Sequence, residues 1–326
     1  MRVLVAGASG AIGTRLVPQL IAAGHEVVGT HKSASNASRL RALGAEPLQL
    51  DLLDPDAVTR AVVAQKPDAI VHQATALANL TDLKNFDRTF HQTNLLRTRG
   101  TDALLAAAQD AGVRRFVAQS YASARYARTG GMVKSEEDPL DPDPPPAVRE
   151  SWAAMLQLEQ EVSAAGGIVL RYGTFYGADN DGLIEPVRKR QFPIAGGGGG
   201  VWSFMHLDDG AAATVLALEH NGPAIYNVVD DDPAAVREWL PVLAQALGAK
   251  PPRRVPRWLA RLFAGEAAVM MATESRGASN AKAKRELGWT LRYPSWRNGF
   301  VATYASSVRA HHEAGRLVDP VSATRT

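Results

Sequence analysis

The chain has 326 residues, with 36 Lys and Arg against 33 Asp and Glu, a formal net charge of +3. That balance argues against a nucleic-acid partner, since a polyanion calls for basic residues concentrated on one face. Only the cluster Arg253, Arg254, Arg257 and Arg261 stands out, and a solvated helix or loop accounts for it. With 46% hydrophobic and 21% charged residues, the chain is expected to be globular, with one large core and one smaller, not disordered or coiled-coil.

No stretch reaches the roughly 18 to 20 apolar residues of a membrane span, and the opening run Val3–Ala6 meets a glycine too soon for a signal peptide. Zero cysteines leave no disulfide, thiolate metal site or thiol nucleophile and point to the cytoplasm. No HExxH pair supports a metal.

In chain order, short apolar or β-branched runs predict strands at Val3–Ala6, Glu26–Gly29, Glu46–Leu50, Ala69–His72, Arg115–Gln119 and Ile168–Arg171. Helical spacing predicts helices at Gly10–Ala23, Ala34–Leu43, Pro55–Gln65, Asn94–Ala111 and Arg149–Ala165. The alternation reads as an α/β fold, a doubly wound parallel Rossmann sheet. Pro18 inside the first helix breaks a local rule and should bend its axis. In the last helix Trp152, Met155, Leu156, Glu159 and Val162 recur near helical spacing, and most of them should pack on the sheet. The glycines and prolines of Ala127–Pro146 predict a surface loop. A helix near Gly210–Glu219, a returning strand at Ile225–Val229 and further helical sequence follow. The expected organisation is a dinucleotide-binding domain over 1–171 with a returning strand near 224–230, a smaller, mostly helical substrate lobe over 172–310, and a flexible tail over 311–326.

Gly7-Ala8-Ser9-Gly10-Ala11-Ile12-Gly13 follows the first strand and opens the first helix. In that context Gly7 makes a tight turn, Gly10 lets backbone approach a pyrophosphate, Gly13 lets helix and strand pack closely, and the helix N-terminus offers free N–H groups to phosphate. An NAD-selective site carries an acid about 20 residues past these glycines, at the end of the second strand. Here that position reads Thr30-His31-Lys32-Ser33, where Lys32, the two hydroxyls and Arg39 suit a 2′-phosphate. NADP is favoured; a solvent-facing Lys32 with use of either cofactor, NAD included, is the alternative.

The GxxGxxG spacing resembles the short-chain dehydrogenase/reductase superfamily, and the chain length with a C-terminal lobe resembles its extended, epimerase/dehydratase-like branch. Asp51-Leu52 resembles the family's adenine contact, His72-Gln73-Ala74-Thr75-Ala76 its cofactor-lining turn, and Asn94 with Gly100-Thr101 its helix behind the active site. Arg171-Tyr172-Gly173 with Tyr176-Gly177, and Phe204-Met205-His206-Leu207-Asp208-Asp209, are similar to two later landmarks. The resemblance implies cofactor contacts from Ser9, Ala11, Ile12, His31, Lys32, Asp51, Leu52, Ala74, Thr75, Ala76 and Tyr172 beside the three glycines, and a homodimer through two long helices is common in the family.

The resemblance also implies a Tyr with a Lys four residues later as proton relay, an adjacent cation favouring phenolate. The residues four beyond the seven tyrosines are Arg125, Gly130, Tyr176, Asn180, Asp230, Arg297 and Val308, and none is lysine. Alignment of the helix through Leu158-Glu159-Gln160 puts Ser151 and Met155 at the two positions. The family's Ser or Thr after the fifth strand corresponds to Ser120 or Tyr121, the candidate catalytic residues; Thr75, Tyr172 and Thr174 are further pocket hydroxyls.

In lacking the pair, the chain resembles atypical ketoreductases of angucyclinone (simocyclinone-type) pathways, whose substrates assist their own protonation. The expectation is an NADPH-dependent ketoreductase of a bulky, polycyclic aromatic or polyketide-type ketone, working by substrate-assisted hydride transfer. Trp152, Met155, Tyr176, Phe192, Trp202 and Phe204 are candidates to line an apolar cleft over the nicotinamide. A non-catalytic, redox-sensing NADP-binding protein is the rival class. Alkene or imine reduction stays open, and sugar-nucleotide epimerisation or dehydration, which depends on the Tyr, loses most of its force.

Overall fold

The first strand shows how the sequence builds the sheet. In β1 (Arg2–Ala6) the residues Val3 to Ala6 are all fully buried. Val3 and Val5 enter one core with Leu16, Leu20 and Ala211, while Leu4 and Ala6 enter another with Val58, Val62, Leu104 and Leu158. A strand with two apolar faces needs cover on both, as in parallel sheets.

The computed structural model describes residues 1–77, 85–177 and 182–304. The parallel strands β1, β2 (Glu26–His31), β3 (Glu46–Gln49), β4 (Ala69–His72), β5 (Arg115–Tyr121), β6 (Ile168–Tyr172) and β7 (Ala224–Val228) form a seven-stranded sheet. Its order is β7-β6-β5-β4-β1-β2-β3. Helices α1 (Gly13–Ala22), α2 (Ala34–Ala42), α3 (Pro55–Gln65), α4 (Phe86–Leu95), α5 (Thr101–Asp110) and α6 (Arg149–Ala164) make the crossovers. Asp54 caps α3 by accepting the Ala57 N–H at 3.0 Å, with Pro55 at the first helical position. The chain order reverses between β1 and β4, which opens a crevice at the strands' carboxyl ends.

Several elements depart from expectation. The first helix begins at Gly13, because Gly7–Ile12 form the preceding turn, and it runs through Pro18, whose exposed position lets solvent take the carbonyl left without a donor. The helix expected over Asn94–Ala111 is interrupted: α4 ends at Leu95, a π-helical segment spans Leu96–Gly100, and α5 starts at Thr101. Asn94 therefore closes α4 instead of opening a helix. Of the stripe named on α6, most residues are buried and Leu156 is exposed. The expected surface loop over Ala127–Pro146 is partly built in, since Val133–Lys134 pairs with Gly277–Ala278 and Lys134 is buried.

Beyond β6 lie α7 (Leu207–Ala217), which returns to the sheet, then α8 (Val236–Ala246), α9 (Arg257–Thr273), α10 (Ala281–Leu287) and helical residues 296–304. A separate core holds Trp202, Phe204, Trp239, Trp296 and Phe300, with Trp239 centred 4.9 Å from Trp202 and 5.1 Å from Phe204. Asp209 and Asp230 tie it down: Asp209 accepts the Arg292 and Tyr293 N–H groups at 2.8 and 2.9 Å, and Asp230 accepts that of Trp296 at 2.8 Å. Among the described residues no helix is long and apolar enough to cross a membrane. The tail expected over 311–326 lies outside the described residues.

Candidate functional site

Ala6, His31, Gln49, His72, Tyr121 and Tyr172 each end a strand of the parallel sheet, so the segments that follow them share one edge. The glycine turn sits at its centre. Gly7 has φ +86° and donates its N–H to the Thr30 hydroxyl at 3.1 Å; a Cβ there would lie 2.7 Å from the Ala74 backbone. A Cβ on Gly13 would lie 2.5 Å from the backbone of Ala8 and Gly7. These approaches bring the start of α1 against β1 and β4, and no side chain caps it. The exposed backbone of Gly10 and Ala11, with Ser9 half-buried and Ile12 beneath, is a cradle open to phosphate, so the residues present fit a dinucleotide.

At the end of β2, Thr30 is buried and its hydroxyl is engaged by Gly7, which removes it from the set expected to meet a 2′-phosphate. His31 is buried with Nδ1 2.9 Å from the Ser33 carbonyl. The exposed Lys32 ammonium lies 3.3 Å from Asp51 Oδ1. The Asp51 carboxyl is held below its usual range, first by the Leu53 N–H and then by Lys32, against a modest desolvation. Leu52 is buried behind it.

The turn after β4 is fixed from within. His72 is buried between the Leu96 carbonyl, 3.2 Å from Nε2, and the Ala74 N–H, 3.4 Å from Nδ1. Burial pushes its pKa down to about 4, so the imidazole is neutral, with Nε2 donating. Ala76 donates its N–H to the Thr93 hydroxyl at 3.1 Å, and Ala74 and Thr75 between them are half-buried. Tyr172 is not a lining side chain. It is 0% exposed, accepts a hydrogen bond from Gln73 Nε2 at 2.9 Å, and pairs with the Thr214 hydroxyl at 2.5 Å, so its side chain stands behind the turn.

The two candidate catalytic residues separate. Ser120 is buried and donates to Glu159 Oε1 at 2.6 Å, which turns its hydroxyl inward. Glu159 is 2% exposed and also accepts from Arg125 Nη1 at 2.5 Å and Arg171 Nη2 at 2.6 Å. Burial raises its carboxyl, but the two guanidinium groups more than offset that and hold it at about 2. Arg125 does not activate the Tyr121 phenol as a lysine on a helical turn would. The chain leaves β5 in a loop, and Arg125 bonds the Tyr121 carbonyl and the Ser120 hydroxyl instead. Tyr121 keeps its phenol half-buried, 3.1 Å from the Thr174 hydroxyl. Burial pushes that phenol above its ordinary range, so it stays protonated.

On α6, Ser151 is buried, donates to Asp87 at 2.6 Å and accepts from Asn94 Nδ2 at 3.0 Å. Asp87 also takes the Glu150 and Ser151 N–H groups at 3.0 and 2.9 Å, so Ser151 serves the start of the helix. Met155 and Trp152 form an apolar wall with Met270, bordered by Phe86, Tyr121 and Met271. The other aromatics named for a cleft do not join it: Tyr176, Phe192, Trp202 and Phe204 pack into the second core. Glu159 is the residue that sequence reasoning missed. Its signal was an acid on the inward stripe of α6 between Met155 and Val162, a position that demands a buried cationic partner.

With this geometry in place, the comparisons with known proteins decide the family. The model of the NAD dependent epimerase/dehydratase family matches residues 3–228. The chain belongs to that family. It is 43% identical over 307 residues to a 3-diazoavenalumate denitrifying reductase of a Streptomyces species, covering 92% of this chain and 99% of that protein. It is 30% identical over 260 residues to a 4-hydroxy-2-methyl-3-oxo-4-farnesyl-3,4-dihydroquinoline-1-oxide ketoreductase of Stigmatella aurantiaca, covering 77% and 74%. A UDP-glucose 4-epimerase of Thermus thermophilus in complex with NAD superposes with a TM-score of 0.71 at 26% identity, covering 95% of this chain and 99% of that one. The family is nicotinamide-dependent and these named sequence relatives are reductases, which supports oxidoreductase chemistry in the crevice.

Proposed function

We propose that this protein is an NADPH-dependent reductase of a sizeable aromatic compound whose reducible group is a diazo function that departs as dinitrogen. One observation carries the reading: the hydroxyls at the positions of the missing relay, Ser120 and Ser151, are spent on the carboxylates of Glu159 and Asp87. A ketone needs a hydride and a proton to become an alcohol. A diazonium carbon framework needs only the hydride: ArN2⁺ and H⁻ give ArN=NH, which loses N2 and leaves ArH, with no proton taken from the protein. Ser120 and Ser151 are thus committed to carboxylates at the positions whose proton this acceptor does not require, and the Streptomyces relative is named for such a reaction.

Bound in the glycine cradle, the reduced nicotinamide supplies the hydride. The protein's own residues position the two partners. Gly7, Gly10, Gly13, Ser9, Ala11 and Ile12 would hold the diphosphate, the turn of Ala74–Ala76 fixed by His72 would line the ring, and the apolar wall of Met155, Trp152 and Met270 would face the aromatic substrate. The absence of an acid at the end of β2, with Lys32 exposed there, supports NADPH over NADH once Lys32 leaves Asp51 for the 2′-phosphate. The cysteine-free composition supports a cytoplasmic setting. A homodimer is the assembly the family resemblance favours.

Ketone reduction is the second reading, favoured by the Tyr121–Thr174 hydroxyl pair at 3.1 Å, which can donate to an oxygen. The deciding experiment follows NADPH consumption by the purified protein with a diazophenol carboxylate and with polycyclic aromatic ketones. NADPH oxidation matched by dinitrogen release, and faster than with any ketone, is expected. Turnover of ketones alone overturns the diazo reading in favour of ketone reduction, and turnover of neither favours the non-catalytic class.

A further inference from the structure

The π-helical segment Leu96–Gly100 between α4 and α5 packs against α6. A π turn fits one extra residue into the helical ring, and such turns recur at functional sites. Here it accompanies an arginine turned into the protein. Arg97 is 7% exposed, and its Nε is shielded from solvent without a partner. Among the described residues its side chain makes no hydrogen bond or ion pair.

The nearby carboxylate cannot satisfy it. Both oxygens of Glu159 are taken by Arg125 and Arg171. The cluster therefore holds three guanidinium groups to one carboxylate, and the charge of Arg97 is felt at the half-buried Tyr121 phenol that borders the apolar wall. Burial and the like charge of Arg125 draw Arg97 down to about 10, still cationic at neutral pH, and the field of Glu159 offsets them only in part. A buried cation without a counter-ion carries a large penalty unless an anion arrives.

We propose that Arg97 receives an anionic oxygen of the substrate, a carboxylate or a phenolate, and so selects acidic aromatic compounds. This rests on reading the crevice as the site of an aromatic reductase. A carboxylate on Arg97 is held alike before and during reaction and governs KM. A phenolate is different: in a quinone diazide the ring oxygen gains its negative charge as hydride adds to the diazo nitrogen, so Arg97 then governs kcat. In that case the neutral quinone diazide and H⁻ give a diazenylphenolate, which loses N2 to leave the phenolate.

The test uses the full chain, Arg97→Met and Arg97→Lys. Calorimetry in the presence of NADP⁺ compares 4-hydroxy-3-nitrobenzoate, whose nitro group ionises the phenol near neutral pH, with its methyl ester and with 4-methoxy-3-nitrobenzoate, and 3-diazo-4-hydroxybenzoate with its methyl ester serves for turnover with NADPH. The wild type is expected to bind the acid about tenfold or more tightly than the form blocked at the contacted oxygen, R97M to lose that preference, and R97K to keep part of it. Loss of the preference on esterification assigns the carboxylate; loss on methylation of the phenol assigns the phenolate. The thermal midpoint of R97M should not fall, since a partnerless buried charge is removed. A preference unchanged in both variants, or a lowered midpoint with the preference intact, overturns the inference in favour of a structural role. Turnover of the diazo probe without any Arg97-dependent preference overturns this inference alone. Arg97-dependent binding without turnover supports it while the diazo reading fails.

Discussion

The Ser120 hydroxyl donates to Glu159 Oε1 at 2.6 Å, and this bond turns inward the residue that the family resemblance makes a candidate catalytic hydroxyl. Ser120→Ala should therefore leave kcat within about threefold of wild type, a barrier change under ~0.7 kcal/mol, while lowering stability by about 1 kcal/mol. Glu159→Gln is the harsher change, because it leaves Arg125 and Arg171 buried without a counter-charge. A loss of about 3 to 5 kcal/mol is expected in denaturant unfolding. An S120A enzyme that folds normally but has lost activity ~100-fold would place Ser120 in the chemistry.

Acid should destabilise the fold in two stages. His72 and His206 are each brought to about 4 from an ordinary 6.5, burial being the main cause in both. Between those values the unfolded chain binds protons that the native one refuses, so stability is complete above pH 6.5 and falls as the pH drops toward 4, by on the order of 3 kcal/mol for each histidine. Glu159, held at about 2 from 4.5, adds a second loss below pH 4.5. Unfolding free energies measured from pH 7.5 to 4 should show the first slope, and His72→Gln should flatten it by about half. An equal slope in the variant contradicts the assignment.

Lys32 should set coenzyme choice. Lys32→Ala is expected to raise KM for NADPH by about tenfold or more, the worth of one charge-assisted hydrogen bond, with KM for NADH little changed. Because Asp51 holds Lys32 at 3.3 Å, Asp51→Asn should move the preference the other way, toward NADPH. Equal effects on both coenzymes would remove Lys32 from the 2′-phosphate.

Gly13→Ala probes the cradle, since its Cβ would meet backbone carbonyl atoms 2.5 Å away that no rotamer can relieve. Dinucleotide binding followed by intrinsic fluorescence should weaken at least ~10-fold, equivalent to about 1.4 kcal/mol. Retained binding would mean that the turn yields more than its contacts allow.

Much of the sheet was legible because strands such as β1, β4 and β6 are apolar runs closed by Gly or His at the carboxyl end, and the cradle because glycine spacing, strand and helix coincide in Gly7–Gly13. The floor beside Ser120 was not. Whether Ser120 faces a ligand depends on Glu159, Arg125 and Arg171, which come from a helix, a loop and another strand and meet only when the sheet closes. The π turn at Leu96–Gly100 was hidden because the helical residues on both sides of it read in the sequence as one continuous helix, and only the folded chain shows Arg97 buried within it. The aromatics Trp202 and Phe204 were assigned to a cleft although Trp239 and Trp296 complete their packing.

The most direct test of the central claim, hydride transfer without a proton from the enzyme, is a pair of isotope effects in a single turnover of 3-diazo-4-hydroxybenzoate. NADPH deuterated at the transferred position should slow the step, whereas D2O should leave it unchanged, and Tyr121→Phe should behave as wild type in both. A solvent isotope effect as large as the coenzyme effect, abolished in Tyr121→Phe, would contradict the account and make the Tyr121 phenol the proton donor.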